Sequence, residues 1–317
     1  MQRVETVHPS LGARLQRWWG KGELGPGPLS LLMVLPALVF LLGIIAYPVL
    51  YALYLSFHEA TLKGLASGVM PFVGLKNYLT LFRDPVFRMT MRHSAEFVGL
   101  SVLLEVTLGM LIALVLNDRS TKLGRFNKSI MLLPWAVAPI ANGLMWQYIY
   151  NPSFGYLNVV LYKLGIISEF RQFAGDSQLA MLAVVLAFVW RVTPFSVLLF
   201  HSALQGVPEE LYDAAKVDGC GAIQRFRHVT LPLIRPTLTI VLVLRTAFAF
   251  MVFDEIFAIT AGGPGDRTWV ASWYTYQHAF RYLEMGVGSA MAFIMAGVIA
   301  VVTLVYILLI YRKIEYA

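Results

Sequence analysis

The chain has 317 residues, of which 58% are hydrophobic and only 14% are charged, with a formal net charge of +7. Soluble domains are about 45–50% apolar and about 25% charged. With a mean hydropathy of +0.67, this composition excludes a soluble domain, a disordered chain and a nucleic-acid-binding protein. Its single cysteine, Cys220, excludes an internal disulfide. The composition predicts an integral membrane protein.

A basic tail, residues 1–28, precedes the first apolar run. Its apolar side chains share one helical face and its basic side chains lie off that face: Leu11, Leu15, Trp18 and Trp19 against Arg14, Arg17 and Lys21. This pattern suits a short helix in the cytoplasmic headgroup layer. An unstructured basic tail is an equally good interpretation.

Six runs of about 20 apolar residues follow, the length that a membrane-spanning helix needs. The first is too long for the core of a signal peptide, so we expect it to be retained. The predicted spans are 29–57, 94–116, 129–150, 179–204, 236–260 and 286–311. The sequence therefore predicts an all-α polytopic membrane protein with six transmembrane helices, residues 29–317 forming its transmembrane domain.

Lys and Arg residues flank one set of loops more often than the other, and loops rich in Lys and Arg stay on the cytoplasmic side. The richer set includes both termini, so we expect both termini to be cytoplasmic. The first loop of the opposite set weakens the evidence for this orientation because it also carries basic residues: Lys63, Lys76, Arg83, Arg88 and Arg92.

No catalytic pattern is present in the sequence. A phosphate-binding G-x-x-x-x-G-K-[ST] loop and a G-x-S-x-G elbow are both missing, and the six histidines lack the spacing of a metal site. We therefore expect no catalytic residue, no metal and no cofactor bound by this chain. If it moves a solute against a gradient, the energy must come from a partner or from an ion gradient.

The loop between the fourth and fifth predicted spans, residues 205–235, is long and polar. Its pattern predicts two short helices. Pro208 suits a first helical position, and Glu209 and Glu210 suit the positive helix N-terminus. Gly219 suits a left-handed helix end, as does Gly221, and Pro232 is expected to close the second helix. Ala214 and Ala215 would leave the backbone of the first helix bare enough for another protein to approach closely.

This loop resembles the E-A-A-x-x-x-G…L-P coupling loop of binding-protein-dependent ABC importer permeases, and we call residues 205–235 the coupling loop. The matching residues are Tyr212-Asp-Ala-Ala-Lys-Val-Asp-Gly219, Phe226 and Leu231-Pro232. Motifs typical of the carbohydrate branch follow in the same order along nearly the whole chain: Phe72-Val-Gly-Leu-Lys-Asn-Tyr78, Leu116-Asn117, Leu133-Pro134-Trp135, Trp190-Arg191-x-x-Pro194-Phe195, Phe253-Asp254 and Gly262-Gly-Pro-Gly265.

The resemblance implies the type I ABC importer permease fold in a bacterial or archaeal cytoplasmic membrane. The implied partners are a second homologous permease, a cytoplasmic ABC ATPase dimer that uses ATP and Mg, an extracytoplasmic solute-binding protein and a small sugar-like substrate, besides membrane lipid. The helix at 208–219 would dock on the ATPase. The residues implied for coupling are Glu209, Glu210, Asp213, Ala214, Ala215, Asp218, Gly219 and Pro232. Asp213 departs from the family, which usually has Glu there.

Charged residues inside a membrane mark functional sites or ion pairs. In maltose permeases, which the chain resembles, side chains near the motif that matches Arg191 and Phe195 contact the sugar, so both residues are candidate sugar contacts. Alternatively, Arg191 could form an ion pair with Glu105. The resemblance favours a structural pairing for Arg245 and Asp254. Further candidates for the pathway are polar or aromatic residues on the third and fifth spans: Asn142, Trp146, Gln147 and Phe248. For the first three, helix packing is the more common role.

Around Arg245 the sequence departs from the carbohydrate branch, which often has an acid at the place of Phe248 and a base at that of Met251. The loss of both charges together suggests that an ion pair of the branch has been replaced as a unit by Phe248 and Met251.

The outer loops, 57–93, 151–178 and 261–285, are too short for folded domains. They could form a rim that receives a solute-binding protein. The amphipathic run from Tyr78 to Phe82 fits a helix that lies along the outer surface.

Our first interpretation is the permease subunit of an ATP-driven importer for a sugar or a sugar derivative. An importer of glycerol-phosphate or another anionic polyol is an alternative, because two intramembrane arginines could bind an anion. A secondary transporter driven by an ion gradient would predict inverted repeats, which the sequence lacks. A membrane-embedded enzyme would need a nucleophile or a metal cluster.

Overall fold

The computed structural model describes residues 28–117 and 128–310 of the chain. The predicted interfacial helix of the tail and both chain ends lie outside these residues. The chain divides into two compact units, with the boundary between Tyr54 and Leu55. The described part is helical, and its only β-type pairing consists of two isolated bridges, His58 with Phe72 and Thr61 with Glu284.

The helices of the first half are, in chain order, α1 Pro28–Phe40, α2 Tyr47–Ser56, α3 Leu62–Ser67, α4 Lys76–Arg83, α5 Pro85–Asn117, α6 Lys128–Met131, α7 Leu133–Ala136, α8 Pro139–Ile149 and α9 Tyr156–Lys163. Those of the second half are α10 Ala180–Gln205, α11 Glu209–Val217, α12 Ala222–Arg225, α13 Leu231–Phe250, α14 Asp254–Ile259, α15 Ala271–Tyr276 and α16 Met285–Leu309. Wide π-helical turns continue three of these helices, at Leu41–Ala46, Phe226–Thr230 and Gln277–Arg281.

Five helical stretches of the described residues are long and apolar enough to cross a membrane: Met33–Ser56, Pro85–Asn117, Ala180–Gln205, Ala222–Phe250 and Met285–Leu309. They correspond to five of the six predicted spans. Residues such as Met33, Phe40 and Leu50 on the first of them expose half or more of their surface, as expected of side chains that lipid solvates.

The third predicted span, 129–150, is not one continuous helix. It is broken into α6, α7 and α8, the last of which begins at Pro139. Pro134 and Pro139 each lack a backbone N–H and fix φ, so they favour helix starts and interrupt a longer helix. The count of six spanning helices is therefore not confirmed.

The fifth predicted span was placed too far along the chain. The helix ends at Phe250 instead of Thr260, and Asp254 and Glu255 open the separate helix α14. Two acids in the first turn of α14 are stabilised by the positive end of its dipole. Both acids therefore lie outside the long helix in which they were expected.

The core of the second unit forms where α5 and α10 pack side by side. Phe97 of α5 meets Phe188 of α10 edge to face, with ring centroids 5.3 Å apart, and both side chains are buried. Nearer the coupling loop, Phe200 and Leu204 of α10 pack with Ile234 of the helix that leaves the loop. Sixteen residues of α10 are buried, whereas one stripe, which includes Leu182, Leu186 and Leu198, stays exposed.

Helix α8 approaches α14 closely because Gly143 has no side chain. A Cβ atom built on Gly143 would lie 2.6 Å from the Cβ of Ala258 and 3.3 Å from the carbonyl oxygen of Asp254. Real Cβ atoms do not come so close, so the spacing of the two helices requires glycine at this position.

We expect Gly143→Ala to force α8 and α14 apart and to destabilise the fold by about 1–3 kcal/mol, the usual cost of overpacking. The measurement is the thermal unfolding midpoint of the detergent-purified assembly. Gly99→Ala on α5 is the control, because a Cβ there has no neighbour within 4 Å. Equal midpoints for the two variants would contradict the assignment of close packing to Gly143.

Candidate functional site: the coupling loop and the membrane-interior ion pairs

The coupling loop leaves α10 at Gln205 and returns through α11 and α12 to α13. Helix α11 is nine residues long, with Glu209 and Glu210 in its first turn and Lys216 in its last. These charges complement the two ends of the helix dipole. The short polar helix that the sequence predicted is therefore present.

One face of α11 is fixed to the rest of the chain. The hydroxyl groups of Tyr212 and Thr230 lie 3.0 Å apart in a hydrogen bond, and Ala215 is only 8% exposed. Tyr212 also packs with Phe226 against the apolar cluster at this end of α10. The helix is thus an anchored element and not a loosely held connector.

The opposite face of α11 is open and carries Glu210, Asp213, Ala214 and Val217, which follow the spacing of one helical stripe. Val217 is 88% exposed. Asp213 pairs with Lys216 across one helical turn, with 2.8 Å between the Oδ1 and Nζ atoms. The two alanines therefore have different environments: Ala214 is exposed, whereas Ala215 packs against the chain.

Three details of the loop differ from the prediction. Helix α11 begins at Glu209, one residue after Pro208. Gly219 does adopt the left-handed conformation, with φ of +79°, but Gly221 has φ of −67° and instead precedes α12. Pro232 does not end a helix. It lies in the first turn of α13, where the π-helical turn before it accommodates the missing N–H, and the helical run continues from Ala222 to Phe250.

Two ion pairs lie in the interior of the second unit. The first joins α13 to α5, with Arg245 Nε 2.6 Å from Glu105 Oε1. The hydroxyl of Ser196 on α10 donates a hydrogen bond of 2.5 Å to the same carboxylate oxygen. Because Glu105 is fully buried and Arg245 is 4% exposed, each charge needs the other for compensation.

The second ion pair joins α10 to α14, with Arg191 Nε 2.8 Å from Glu255 Oε1. Asn142 of α8 donates to Glu255 at 3.4 Å and to the carbonyl oxygen of Ala187 at 3.1 Å. Arg191 therefore pairs with Glu255 and not with Glu105, as was considered from the sequence. Asn142 holds α8 against its neighbours, which is the packing role.

Aromatic rings surround these cations. The ring of Phe188 lies 5.8 Å from the guanidinium carbon of Arg191 and 6.0 Å from that of Arg245. Phe195 and Phe248 lie 5.9 and 5.6 Å from Arg245. Trp135 stacks on Phe195 with centroids 5.6 Å apart. Distances near 6 Å are typical of cation–π contacts.

The structure brings together Phe195, Arg245 and Phe248 from the predicted pathway set, and separately Arg191 with Asn142. The ring of Trp146, one turn after Asn142 on α8, packs on Tyr150 and Trp190. Asp254 forms no ion pair with any described residue. Phe188 and Ser196 were not predicted, since neither residue type stands out within an apolar run.

Removing one partner from a buried ion pair leaves an uncompensated charge, which costs about 3–5 kcal/mol. We therefore expect Glu105→Leu to lower the thermal midpoint of the purified assembly strongly. The double variant Glu105→Leu with Arg245→Leu should lose much less than the sum of the two single losses. The unfolding of Glu105→Leu, of Arg245→Leu and of the double variant, each compared with the wild type, gives the coupling energy between the two residues.

The control for this cycle is Glu96→Leu. Glu96 pairs with Arg267 at 3.1 Å, but both side chains are about one-third exposed, so its loss should cost no more than about 1 kcal/mol. The buried pairing would be contradicted if the stability losses of the Glu105 and Arg245 variants simply added in the double variant. Equal stability losses for the Glu96 and Glu105 variants would contradict it as well.

The fold is similar to that of a solved structure. The chain aligns with the crystal structure of a bacterial ABC transporter involved in the import of the acidic polysaccharide alginate, at a TM-score of 0.74 and 22% identity, covering 93% of this chain and 96% of the other. It therefore has the fold of an ABC importer permease.

Two curated relatives cover nearly the whole chain. It is 37% identical to the trehalose/maltose transport system permease protein MalF of Thermococcus litoralis over 279 residues, which is 88% of this chain and 92% of the relative. It is 34% identical to the sulfoquinovosyl glycerol transport system permease protein SmoG of Agrobacterium fabrum over 301 residues, which is 95% of this chain and 96% of the relative.

The family model described as binding-protein-dependent transport system inner membrane component matches residues 105–315. The chain belongs to this family and is a multi-pass inner-membrane permease component of an ABC transport system. Components of this kind are non-catalytic.

Proposed function

We propose that the chain is one of two permease subunits of an ATP-driven importer for a sugar or a neutral sugar derivative. In this proposal it forms half of the translocation pathway and couples to a cytoplasmic ATPase dimer through residues 208–219. A solute-binding protein delivers the substrate from the other side, and both chain termini are cytoplasmic. The exposed stripe on α11 is the observation that carries the proposal.

The case for docking at α11 is the contrast between its two faces. One face is anchored through Tyr212 and Ala215, whereas the other presents Glu210, Asp213 and Val217 to the surroundings. Ile223 of the adjoining α12 is also 82% exposed. Apolar side chains so exposed on a polar loop favour burial against a partner. A rigid helix attached at both ends to α10 and α13 suits the transmission of a movement.

We expect Gly219→Asp to leave the protein in the membrane but to abolish most solute uptake, with ATP hydrolysis no longer linked to transport. Gly219 has φ of +79°, and a residue with a Cβ atom is strained there by about 1–2 kcal/mol. The turn after α11 would therefore shift and move its exposed face. Uptake and ATP hydrolysis are measured on reconstituted assemblies.

Gly221→Ala is the matched control in the same loop, because its φ of −67° suits any residue. Wild-type uptake in the Gly219 variant would refute the docking assignment. Purification through a tag on this chain should also recover an ATPase and a second permease. Their absence, together with uptake that collapses when the ion gradient is dissipated, would favour a secondary transporter instead.

The substrate class follows from the charges in the interior. Arg191 and Arg245 are each already paired with a glutamate, so the two arginines and two glutamates contribute no net charge. Such a site offers an anion little attraction, which favours a neutral sugar over glycerol-phosphate or another anionic polyol. The names of the relatives include trehalose and maltose, which are neutral, and sulfoquinovosyl glycerol, which is anionic, so they agree with a carbohydrate and do not decide its charge.

The aromatic rings beside Arg245 are the candidate sugar contacts. Phe248 is 56% exposed and Trp135 is 48% exposed, so both present ring faces away from the packed core. The apolar faces of sugar rings stack on aromatic rings, while charged and polar groups meet the hydroxyls. In this proposal Phe248 and Trp135 line the pathway, with Phe195 and the buried Arg245–Glu105 pair directly behind them.

We expect Phe248→Ala to lower the rate of sugar uptake several-fold while membrane levels stay unchanged. Phe40→Ala is the control, since Phe40 is 63% exposed on α1 and lies far from the candidate site in sequence. Uptake is measured with a panel of neutral sugars and sugar phosphates supplied with the cognate binding protein. Uptake of only the phosphorylated compounds would overturn the neutral-sugar assignment.

A further inference from the structure

Helix α4, residues Lys76–Arg83, has three distinct faces. One face is buried in the second unit and includes Asn77 and Leu81. A second is apolar and exposed, and a third is basic. This division is typical of a helix that lies at a membrane surface, with the protein on one side, acyl chains below and headgroups beside it.

The buried face fixes the orientation of α4. The side-chain amide of Asn77 donates to the carbonyl oxygens of Ser56 and His58, at 2.8 and 3.0 Å. The hydroxyl of Tyr78 donates to the Ser56 hydroxyl at 2.7 Å. Leu81, only 2% exposed, packs in a cluster with Phe87 and Met291. The helix therefore cannot turn its apolar side inward without breaking these contacts.

The apolar face consists of Leu75, Leu79 and Phe82, which are 60%, 55% and 58% exposed. Their spacing of four and three residues places them in one stripe along the helix. No described part of the chain covers this stripe, although Leu81, its neighbour in sequence, is almost fully buried.

The basic face carries Lys76 and Arg83, both exposed. At the start of α5, Arg88 and Arg92 are exposed as well. None of the four forms an ion pair with a residue that the structure describes. These basic residues run against the usual bias of Lys and Arg toward cytoplasmic loops, so topology alone does not account for them.

The depth of α4 is set by its contact with α16. The cluster that holds Leu81 and Tyr78 also includes Val287, Met291 and Ile294 of α16. Helix α16 is 25 residues long and contains no charged residue, which corresponds to about 37 Å at about 1.5 Å per residue. This exceeds the roughly 30 Å thickness of the hydrocarbon core. Contact with its first turns therefore places α4 near one edge of that core.

We propose that α4 is an interfacial helix that binds phospholipid, with Leu75, Leu79 and Phe82 inserted among acyl chains and Lys76 and Arg83 on anionic headgroups. Helix α5 runs from α4 to the coupling-loop end, so this leaflet is the one opposite the coupling loop. Only the naming of that leaflet as the outer one rests on the proposed function, because lipid contact itself is independent of orientation. Charge complementarity favours anionic over zwitterionic headgroups.

The test uses the assembled transporter in a Cys220→Ser background with single nitroxide labels at Leu79→Cys, Phe82→Cys or Thr80→Cys. Thr80 is exposed but lies off the apolar stripe. Assemblies are reconstituted into phosphatidylcholine vesicles with or without phosphatidylglycerol. The relaxation of each label by oxygen, which enters the bilayer, is compared with that by a water-soluble nickel chelate.

We expect a ratio of oxygen to nickel accessibility several-fold higher at positions 79 and 82 than at position 80. Labels at 79 and 82 that are as accessible to nickel as position 80 would overturn the proposal, as would labels shielded from both reagents by a protein partner.

The basic face is tested with the label at position 82. Lys76→Gln with Arg83→Gln should raise its nickel accessibility several-fold in phosphatidylglycerol vesicles only. Lys63→Gln on α3, an exposed lysine away from α4, is the control. An equal change in pure phosphatidylcholine, or no change in either vesicle, would refute the anionic headgroup contact. Uptake by the Gly219 variant tests the coupling loop separately, so the two proposals can fail independently.

Discussion

The interior of this protein is governed by the cost of an unpaired charge in a medium without water. Four charged side chains lie among apolar helices, and each is matched: Glu105 with Arg245 and Arg191 with Glu255. The first pair fastens α13 to α5 and the second fastens α14 to α10. Ser196 and Asn142 add hydrogen bonds to the two carboxylates, so each ion pair also involves a third helix.

The coupling loop sits at one end of the helices that these ion pairs hold. Helix α10 carries Arg191 and Ser196 and leads directly into the loop, while α13 carries Arg245 and leads out of it. The loop is therefore attached on both sides to the interior pairs. If α11 docks on an ATPase as proposed, this attachment connects the docking surface to the interior pairs.

The sequence could predict most of the spans, because a run of about 20 apolar residues has few alternatives in a membrane. It also located the helix of the coupling loop and its end at Gly219. The break after Phe250 could not be predicted, since Met251, Val252 and Phe253 carry no glycine or proline signal. Pro134 and Pro139 are visible in the sequence, but the apolar run continues past both of them and therefore predicts a single span.

The partners of the intramembrane charges were harder to predict than their existence. Whether Arg191 meets Glu105 or Glu255 depends on the rotation of α10 about its axis and on the displaced start of α14, and neither is encoded locally. The same holds for Ala214 and Ala215. Their different burial depends on which side of α11 the Tyr212–Thr230 contact draws inward, a contact between residues 18 positions apart.

The continuous helical run from Ala222 to Phe250 also has the geometry of a lever arm. About 30 Å of helix separates Arg225 from Arg245, at about 1.5 Å per residue. A tilt of about 5° at the loop would move the far end of such an arm by about 2.6 Å over that length. This shift equals the 2.6 Å that now separates Arg245 Nε from Glu105 Oε1. A small push outside the bilayer is therefore geometrically large enough to open or close a charge contact within it.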